Sequence, residues 1–390
     1  MLEHQQRKSM IKICFVTTVS ITIRSFLLDF AKYLTENDDY DVTFICNDDD
    51  SLKEYTNERI HYIPVKMKRG VGFDGFKVIR RLTKIFKEQQ FDIIQYSTPN
   101  ASLYASIAAK KAKCKNRLYC QWGIRYMGFS KGLSRFIFKK IEKIICKKST
   151  VIEVESNSLM NFGLKEGLYK KNKVSVIGEG SACGVNLLKY DISKKDIWRK
   201  EIRESLGISE KAFVFGYAGR VTRDKGVNEL FEAFKVVNNL DAYLLIVGKF
   251  DNENTIKNDL KEWAINDEHV IFVDWTSEIE KYYAALDVFV SLSYREGFGL
   301  VVIEAAAMGI PCIVTNVPGQ IDTINDHVEG ILVNDKNVED VVVAMQYYLH
   351  NQESANQYGI NARKRVETKF EQTNLFALLS NHRKSLIEEK

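Results

Sequence analysis

The sequence predicts an α/β protein built from two doubly wound domains, and three observations favour this class. Short apolar runs typical of buried parallel strands alternate with amphipathic helical patterns along the chain. The 390 residues suffice for two or three domains of ordinary size, and the 45% hydrophobic content is ample for packed cores. A strongly charged stretch without a strand pattern, residues 189–210, divides the runs into two groups.

Seven runs of the N-terminal half read as strands, with helical patterns between most of them: 11–17, 42–46, 60–63, 91–96, 117–121, 151–154 and 174–177. Six more follow in the C-terminal half: 213–218, 242–247, 270–273, 288–292, 312–315 and 330–333. We interpret residues 189–210 as a linker with the first helix of the second domain, and residues 370–389 as a closing helix. The predicted domains are 1–186 and 187–368, followed by a C-terminal helix within 369–390.

Composition argues against several classes of protein. The 56 basic and 51 acidic residues give a net charge of only +5, so the total does not indicate a nucleic-acid binder. Seven cysteines, an odd number without a C-x-x-C pair, argue against a disulfide framework or a zinc site and indicate a reducing cytoplasm. No run of about 18 apolar residues occurs and residues 1–10 are polar, so we expect neither a signal peptide nor a membrane span.

The segment REGFGLVVIE, residues 295–304, places two carboxylates on either side of a glycine-containing turn into a helix. Gly297 and Gly299 occupy the predicted corner, where glycine lets backbone N–H groups approach a phosphate closely. Glu304 falls about one turn into an apolar helix, where an unpaired carboxylate costs several kcal/mol, so it needs donors such as a ribose diol. Glu296, at the mouth of the corner, could contact hydroxyls of an attached sugar. The alternative is that Glu304 caps nearby backbone and Glu296 is solvated.

A second strand-to-helix loop carries two cations. After the strand 213–218 the sequence reads GRVTRDKG, residues 219–226, and an amphipathic helix follows. Arg220 offers a planar fork that matches a phosphate, and Lys225 offers a point charge. Together they could hold a diphosphate and stabilise it as a leaving group without a metal. The alternative is that both side chains are simply solvated.

Six ordered elements of the C-terminal half resemble one known family. They are Gly219-Arg220, Lys225-Gly226, Glu296-Gly-Phe-Gly-Leu, Glu304, Gly309-Ile-Pro-Cys-Ile-Val-Thr and Pro318-Gly319. In this order they are similar to the retaining GT-B glycosyltransferases of family GT4, over roughly residues 210–350. The N-terminal half more loosely resembles the capsule, O-antigen and glycan-assembly branch of that family, through Phe15-Val-Thr-Thr-Val, Phe26-Leu-Leu and Gly180-Ser-Ala-Cys-Gly-Val-Asn.

The resemblance implies a GT-B fold, in which two Rossmann-like domains face a central cleft and the last helix crosses back to the first domain. It also implies that the C-terminal domain binds a nucleotide sugar, and the residues that match the family pattern are Gly219, Arg220, Lys225, Glu296, Gly297, Phe298, Gly299, Leu300, Val301 and Glu304. Of these, Arg220, Lys225 and Glu296 are the expected catalytic residues.

Candidates for the acceptor side lie in the N-terminal domain. Thr18 follows the first strand, where its hydroxyl could line the acceptor cleft. Gln121, Trp122 and Arg125 follow the strand 117–121, where many relatives carry His-Gly. Trp122 stands at the position expected for the histidine, which puts a role for histidine there in doubt. The alternative is that Trp122 and Tyr126 pack at a domain face.

A competing metal signal lies in the first half. Asn47-Asp48-Asp49-Asp50 contains the Asp-x-Asp pattern that holds Mg²⁺ or Mn²⁺ on a diphosphate in other glycosyltransferases, and Asp39-Tyr-Asp41 is a second match. Both lie outside the half with the predicted phosphate loop, and acidic residues are common in surface turns. We therefore expect no metal and no other cofactor.

Residues 131–148 carry seven basic side chains against one acidic one. Isoleucines 137, 141, 144 and 145 recur at helical spacing, while Lys140, Lys143 and Lys147 share the other side, and Lys139 lies beside them. Such a helix could rest on an anionic membrane surface. It could equally be a core-facing helix with a solvated basic face.

Taken together, the residues and the resemblance predict a metal-independent, retaining glycosyltransferase. It would move a hexosyl or N-acetylhexosaminyl unit from a nucleotide diphosphate sugar, most simply a UDP-sugar, to a polyprenyl-diphosphate-linked saccharide in bacterial surface polysaccharide synthesis. We expect a cytoplasmic protein with peripheral contact to the inner membrane and no nucleic-acid partner. The alternatives are another GT-B activity, such as a nucleotide-sugar epimerase, and a catalytically silent GT-B subunit that binds a partner transferase.

Overall fold

Seven strands of the N-terminal half form one parallel sheet. The structure, a computed structural model, describes residues 10–67, 70, 74–129, 132–237, 242–251 and 255–388. The strands of the first sheet are β1 (Ile11–Val16), β2 (Tyr40–Cys46), β3 (Ile60–Pro64), β4 (Ile93–Tyr96), β5 (Asn116–Gln121), β6 (Val151–Val154) and β7 (Val174–Ser175). Their order is β3-β2-β1-β4-β5-β6-β7, so the winding direction reverses between β1 and β4.

Several α-helices accompany this sheet. They are α1 (Ser20–Phe26), α2 (Leu28–Asn37), α3 (Gly75–Gln89), α4 (Pro99–Lys111), α5 (Leu133–Lys148) and α6 (Asn157–Lys165). Proline at the first position of α4 suits a helix start, because the proline lacks the N–H that would have no acceptor there.

Six strands of the C-terminal half form a second parallel sheet. They are β8 (Phe213–Ala218), β9 (Ala242–Val247), β10 (Val270–Val273), β11 (Val288–Ser291), β12 (Cys312–Thr315) and β13 (Gly330–Val333). Their order is β10-β9-β8-β11-β12-β13, so the reversal here lies between β8 and β11. The α-helices that the structure describes in this half are α7 (Lys195–Ser205), α8 (Val227–Val237), α9 (Asn258–Asn266), α10 (Ile279–Ala284), α11 (Leu300–Ala307), α12 (Val338–His350), α13 (Gln352–Arg365) and α14 (Gln372–Glu388).

The central strands of the second sheet are apolar on both faces because helices cover both. Along β8, Phe215 packs into one apolar cluster with Phe231 of α8, and Val214 packs into the other with Ile303 of α11. The next residue of the strand, Gly216, has no room for a side chain, since a Cβ built there would lie 2.2 Å from a methyl group of Leu286. This double coverage explains the near-continuous apolar runs of the sequence.

Contacts divide the chain into two units. The first comprises Met1–Glu155, Met160–Ile177 and Leu375–Lys390, and the second comprises Ser156–Leu159 and Gly178–Asn374. Residues after Gly178 join the second unit because Val185 exchanges backbone hydrogen bonds with Phe370 (2.8 Å) and Gln372 (3.0 Å). The boundaries at 186/187 and 368/369 stay predictions.

Most of α14 packs within the first unit. Arg383 is 1% exposed and binds the Glu153 carboxylate of β6 through two nitrogen–oxygen contacts of 2.7 and 3.0 Å. Ser380 donates to the Asp38 carboxylate at 2.6 Å, and the Phe376 ring lies 5.2 Å from that of Phe30. The pair with Arg383 lowers the pKa of Glu153 to about 2, although burial alone would raise it. These contacts fix the C-terminal helix to the unit that contains the N-terminal sheet.

The predicted fold class is confirmed: each half of the chain is a doubly wound parallel sheet flanked by helices. Some strand ends differ from the predicted ones by one or two residues. For example, β7 ends at Ser175 instead of 177, and β1 ends at Val16 instead of 17. The predicted closing helix ends at Glu388, and residue 389 lies outside the described residues. In the parts of the chain that the structure describes, every helix is too short or too polar to traverse a lipid bilayer.

Candidate functional site

In the second unit, the loops after β8 and β11 meet where the strand order reverses. Ligands of doubly wound folds bind outside the carboxyl ends of the strands at this position. The two loops contact each other through backbone. The Tyr294 N–H donates to the Asp224 carbonyl at 3.0 Å, and Gly226, with φ +71°, lies so close to Leu292 that an added Cβ would be 2.1 Å from its carbonyl oxygen. The loop with the predicted cations and the loop with the predicted carboxylate are therefore one structural unit.

The structure brings Lys225 and Glu296 into direct contact. The Lys225 Nζ lies 2.5 Å from Glu296 Oε1, and both side chains are partly buried, with exposed fractions of 25% and 19%. Arg220 is exposed, and its carbonyl accepts a hydrogen bond from the Tyr217 hydroxyl at 2.6 Å. Among the described residues, no carboxylate lies within ion-pair distance of the Arg220 guanidinium. Arg220 is thus available to an anion, and Lys225 already has a carboxylate partner.

A further ion pair steadies the same loops. The Asp224 carboxylate accepts from the Thr222 hydroxyl at 2.6 Å and from Arg295 at 3.3 Å. Burial would raise the pKa of Asp224, but these two partners lower it overall. Asp224 therefore stays ionised, and it links the cation loop to the residue that precedes Glu296.

Backbone geometry leaves N–H donors without intrahelical acceptors where the turn at 296–301 enters α11. Gly299 caps α11 with φ +93°, a conformation that favours glycine. The N–H groups of Leu300 and Val301 lie in the first turn of α11, where a helix has no internal acceptor for them. Phe298 contributes packing: it is 3% exposed, and its ring lies 5.2 Å from that of Phe370. Its side chain is therefore assigned to the core, and only its backbone faces the turn.

Buried polar side chains hold this turn from beneath. Gln320, which is fully buried, donates to the Ser291 hydroxyl at 2.5 Å and accepts from the Thr315 hydroxyl. Thr315 also contacts the Ser293 carbonyl at 2.7 Å. Gly319 lies against the turn, since a Cβ there would be 2.6 Å from the Glu296 carbonyl oxygen. This network was not among the predicted site residues, although Pro318-Gly319 and the serines of an otherwise apolar strand were signals for it.

The second unit also includes residues 156–159, which contact the same turn. The Ser156 hydroxyl donates to the Gly297 carbonyl at 3.1 Å. The Ser158 hydroxyl bonds to the Asp322 carboxylate and accepts the Gly319 N–H at 2.7 Å. These serines support the backbone of the turn, and no motif in the sequence pointed to them.

Glu304 is partly buried on α11, and the chain itself supplies donors for it. The Tyr283 hydroxyl donates to Glu304 Oε2 at 3.2 Å, and the Tyr190 hydroxyl also bonds to the carboxylate. Burial raises the pKa of Glu304 to about 7, and the two tyrosine bonds and nearby Lys189 limit the rise. The need of Glu304 for donors is therefore met in part by tyrosines, and the backbone-capping alternative does not describe it.

In the first unit, the loops after β1 and β4 meet at the corresponding reversal of strand order. Here the contact is between hydroxyls: Thr18 Oγ1 lies 2.9 Å from Thr98 Oγ1, and the Thr18 N–H donates to the same oxygen at 3.1 Å. Thr98 has φ +66° and ψ 140°. Pro99 favours this ψ, but a positive φ is strained for a β-branched residue. Such strain is concentrated at functional sites, and no motif in the sequence predicted it.

The other acceptor-side candidates differ in their surroundings. Gln121 is fully buried, and its amide bonds to Glu142 at 2.5 Å and to Tyr169 at 3.2 Å. This corrects the prediction for Gln121, because its side chain holds the interior and does not face a ligand. Trp122 is partly buried, with its ring 5.3 Å from that of Phe26.

Arg125 is exposed and lies over the Phe138 ring of α5, with its guanidinium carbon 4.4 Å from the ring centroid. Tyr126 is fully buried, as the packing alternative predicts. Trp122 and Arg125 therefore stay candidates at the surface of the first unit, whereas Tyr126 is a core residue.

The Asp-x-Asp segment has internal partners. The Asp49 carboxylate accepts from the Ser20 hydroxyl and from the Ser51 N–H, which lower its pKa to about 2. Asp50 pairs with Lys53 at 2.6 Å. Over the described ranges, no group of three His, Cys, Asp or Glu side chains is arranged to hold a metal ion. These contacts favour a structural turn over a metal site.

Helix α5 exposes apolar and basic side chains on the same face. Leu133, Phe136, Ile137 and Ile144 are 74%, 57%, 45% and 41% exposed, and Lys140, Lys143 and Lys147 are exposed beside them. The predicted separation of isoleucines from lysines is therefore wrong in part. Ile145 is buried, but Ile137 and Ile144 are exposed beside the lysines.

One of the predicted cations on this helix, Lys139, already has an acidic partner. Lys139 pairs with Glu166 at 2.7 Å, which makes it a weaker candidate for a membrane contact. Residue 131 lies outside the described residues. The basic and apolar face of α5 is thus formed by Leu133, Phe136, Ile137, Lys140, Lys143, Ile144 and Lys147.

Comparison with known proteins covers both units. Residues 199–365 match the family described as glycosyl transferases group 1, and residues 12–156 match glycosyl transferase 4-like domains. A capsular polysaccharide biosynthesis glycosyltransferase, CapM of Staphylococcus aureus, is 31% identical over 352 residues, which are 90% of this chain and 91% of that protein.

Two further relatives extend the comparison. The Escherichia coli protein named UDP-Gal:α-D-GlcNAc-diphosphoundecaprenol α-1,3-galactosyltransferase is 26% identical over 320 residues, 80% of this chain and 81% of that protein. The crystal structure of Anabaena HepE in complex with UDP superposes with a TM-score of 0.78 at 16% identity, covering 96% of this chain and all of that one. At that identity the superposition supports the fold alone.

Proposed function

The chain belongs to the group 1 glycosyltransferases of family GT4, with the GT-B fold, and we propose that it transfers a hexosyl or N-acetylhexosaminyl unit from a UDP-sugar. The acceptor in this proposal is a polyprenyl-diphosphate-linked saccharide of a bacterial surface polysaccharide. Transfer proceeds with retention at the anomeric carbon and without a metal ion. The names of the relatives support the substrate classes: one is a capsular polysaccharide enzyme, and another uses UDP-galactose and a diphosphoundecaprenol acceptor.

One observation carries the proposal: Arg220, Lys225 and Glu296 lie on two loops that backbone contacts join at the reversal point of the second sheet. A diphosphate placed there would meet a free guanidinium, an ammonium group and the N–H groups that begin α11. Donors and cations fixed in advance stabilise charge that develops on a leaving group. The loops that carry them are already held together, so the one rearrangement needed is the turn of the Lys225 side chain from Glu296 to the phosphate.

The chemical step follows from that arrangement. The bond between the anomeric carbon and the diphosphate oxygen breaks, and the acceptor hydroxyl oxygen bonds to the same face of the sugar. The acceptor proton passes to the departing diphosphate. Arg220 and Lys225 stabilise the negative charge that develops on the diphosphate, and Glu296 contacts the sugar hydroxyls once Lys225 turns to the phosphate.

We propose that α5 holds the protein against the cytoplasmic membrane surface. Its three free lysines would meet anionic headgroups, and its four exposed apolar side chains would enter the boundary between headgroups and acyl chains. Each cation near an anionic surface contributes about 1 kcal/mol. A lipid-linked acceptor is presented at that surface.

The donor class is tested with a small panel of UDP- and GDP-sugars, measured first by thermal stabilisation. A ligand at about 100 times its Kd stabilises the folded protein by roughly 2.7 kcal/mol. Transfer to a synthetic polyprenyl-diphosphate saccharide is then followed by mass spectrometry, and the anomeric configuration of the product by NMR. Epimerisation of the donor without transfer would support the alternative GT-B activity, and binding without hydrolysis or transfer would support a silent subunit.

The membrane contact is tested by vesicle co-sedimentation. Reversing Lys140, Lys143 and Lys147 to Glu should abolish binding to anionic vesicles, and high salt should act likewise because it screens the attraction. The matched control reverses Lys110, Lys111 and Lys113 near the end of α4, which leaves the α5 face unchanged. A wild-type protein that never sediments with anionic vesicles would contradict the proposal.

A further inference from the structure

Two tyrosines are bound to the carboxylate of Glu304. Tyr283 lies on α10 and donates to Oε2 at 3.2 Å, while Tyr190 precedes α7 and bonds to the same carboxyl group. The tyrosine rings are 6.4 Å apart, and both residues are nearly fully buried, at 4% and 1% exposure for Tyr190 and Tyr283. Their hydroxyls therefore reach Glu304 from two different elements.

Packing leaves these hydroxyls little freedom to turn elsewhere. The Tyr283 ring meets the Phe289 ring edge-to-face at 5.4 Å. The Tyr190 carbonyl accepts from Arg363 at 3.0 Å, and the same guanidinium bonds to the Ala307 carbonyl at the end of α11. Arg363 thus ties the backbone beside Tyr190 to the helix that carries Glu304.

We propose that Tyr190 and Tyr283 are positioning residues for the donor nucleotide: they hold the Glu304 carboxylate so that its free lone pairs accept hydrogen bonds from the ribose hydroxyls. A carboxylate has about four acceptor sites, so two tyrosine bonds leave room for a diol. This inference rests on the proposed function, because it takes a nucleotide as the ligand of the second unit.

The charged and titratable groups around Glu304 set its protonation. Burial raises its pKa, bonds from Tyr190 and Tyr283 and the charge of Lys189 lower it, and Glu280 of α10 raises it slightly, giving a value of about 7. Lys189 and Glu280 also pair with each other at 3.6 Å. Burial and the Glu304 charge raise the pKa of both tyrosines well above the usual range, so both hydroxyls stay protonated and donate.

A ribose diol donates to an ionised carboxylate more strongly than to a neutral one. Nucleotide affinity should therefore decline as pH falls through the pKa of Glu304, and binding near neutral pH should release a proton. Removing a tyrosine donor destabilises the ionised form, so the midpoint should move upward by about one pH unit. A defect of general packing would lower affinity equally at every pH.

The experiment measures UDP binding by calorimetry from pH 5.5 to 9 for wild type, Tyr190→Phe, Tyr283→Phe and Glu304→Gln. The Glu304→Gln profile reports the titration of UDP itself and serves as the baseline. In each tyrosine variant, affinity should drop roughly fivefold at pH 7 and recover at pH 9, as a one-unit displacement of the midpoint requires. Tyr348→Phe is the matched control, since its buried hydroxyl has no partner among the described residues; it should leave the profile unchanged.

The outcomes separate the two proposals. If wild type binds neither UDP nor GDP, the proposed function fails and the positioning role fails with it. If wild type binds UDP and Glu304→Gln weakens that binding, but both tyrosine variants keep the wild-type midpoint, only the positioning role is overturned. A loss of affinity that is constant across pH would also overturn it, and thermal unfolding of each variant checks that the fold is retained.

Discussion

The two units have the same topology at the point where their strand order reverses, but the side chains there differ in chemistry. In the second unit the two joined loops carry Arg220, Lys225 and Glu296. In the first unit the corresponding loops meet through the hydroxyls of Thr18 and Thr98. Topology thus determines where a ligand site forms, whereas the side chains determine its ligand. Cations suit a charged diphosphate, and hydroxyls suit a neutral saccharide.

The largest effect should come from removing a cation from the joined loops of the second unit. Arg220→Ala or Lys225→Ala should lower transfer by about 100-fold or more, because contacts to a developing oxyanion contribute a few kcal/mol. Thr18→Ala in the first unit should cost only about tenfold, since it removes a neutral hydrogen bond. Initial rates of transfer with purified variants make the comparison.

The matched control for charge is Arg223→Ala, which removes an exposed cation from the same loop. Its guanidinium is already bonded to the Tyr294 hydroxyl, so transfer should fall by less than about tenfold. Equal losses in all three cation variants would mean that overall charge, and not the position of Arg220 and Lys225, supports the reaction.

The second prediction concerns the pH dependence of stability, which we expect from Glu304 of the second unit and not from the hydroxyls of the first unit. The pKa of Glu304 is raised from 4.5 to about 7 in the folded chain. Below pH 4.5 the carboxyl group is protonated in both states and contributes nothing. As pH rises towards 7 the unfolded chain loses this proton first, so the free energy of unfolding falls and then levels off above pH 7.

Glu304→Gln removes this loss of stability. Relative to its effect at pH 5, the substitution should stabilise the protein at pH 8 by up to about 3 kcal/mol. Urea unfolding of both proteins at the two pH values gives the difference. Thr18→Val, which changes no titrating group, should show no such dependence on pH, and the same dependence in both variants would refute the assignment.

The sequence predicted the fold well because local patterns were sufficient for it. Apolar runs marked the strands, and glycines marked the close backbone approach at Gly226 and the left-handed cap of α11 at Gly299. Arg220, Lys225 and Glu296 were identified because their loops follow strands, and topology alone places such loops at one edge of a sheet. These inferences required no knowledge of which side chains touch.

Features that depend on distant partners were not predictable. Gln320 bonds to Ser291 on another strand, and no local pattern announces that pair. Gln121 looked available because it ends a strand, but Glu142 of α5 buries it. The exposure of Ile137 depends on which face of α5 its neighbours cover, and helical spacing alone gives a periodicity without a direction.

The third prediction concerns the strained backbone of Thr98 in the first unit. Thr98→Gly removes a positive φ that is unfavourable for threonine, so it should stabilise the fold by about 1 kcal/mol. It also deletes the hydroxyl that holds Thr18, so KM for the acceptor should rise several-fold while hydrolysis of the donor is unchanged. Denaturant unfolding and steady-state kinetics measure the two effects.

Lys113→Gly is the control for strain without function. Lys113 has φ +63° and lies in the same unit, after the far end of α4. This substitution should also stabilise the fold but leave KM for the acceptor unchanged. If Thr98→Gly behaves like Lys113→Gly in both measurements, the strained threonine has no role in acceptor binding.

The smallest expected effect is that of chelation. If Arg220 and Lys225 of the second unit stabilise the diphosphate without a metal ion, transfer should persist in EDTA at close to its full rate. The acidic turn at residues 47–50 of the first unit is one of the two competing metal candidates that the sequence offers. Two of its carboxylates are already engaged: Asp49 by Ser20 and Ser51, and Asp50 by Lys53. Loss of activity in EDTA with rescue by Mn²⁺, together with failure of that rescue in an Asp48→Asn, Asp50→Asn variant, would transfer the diphosphate contact to this turn. The contrast between a charged donor position and a neutral acceptor position would then be wrong, because the first unit would hold the metal that the donor requires.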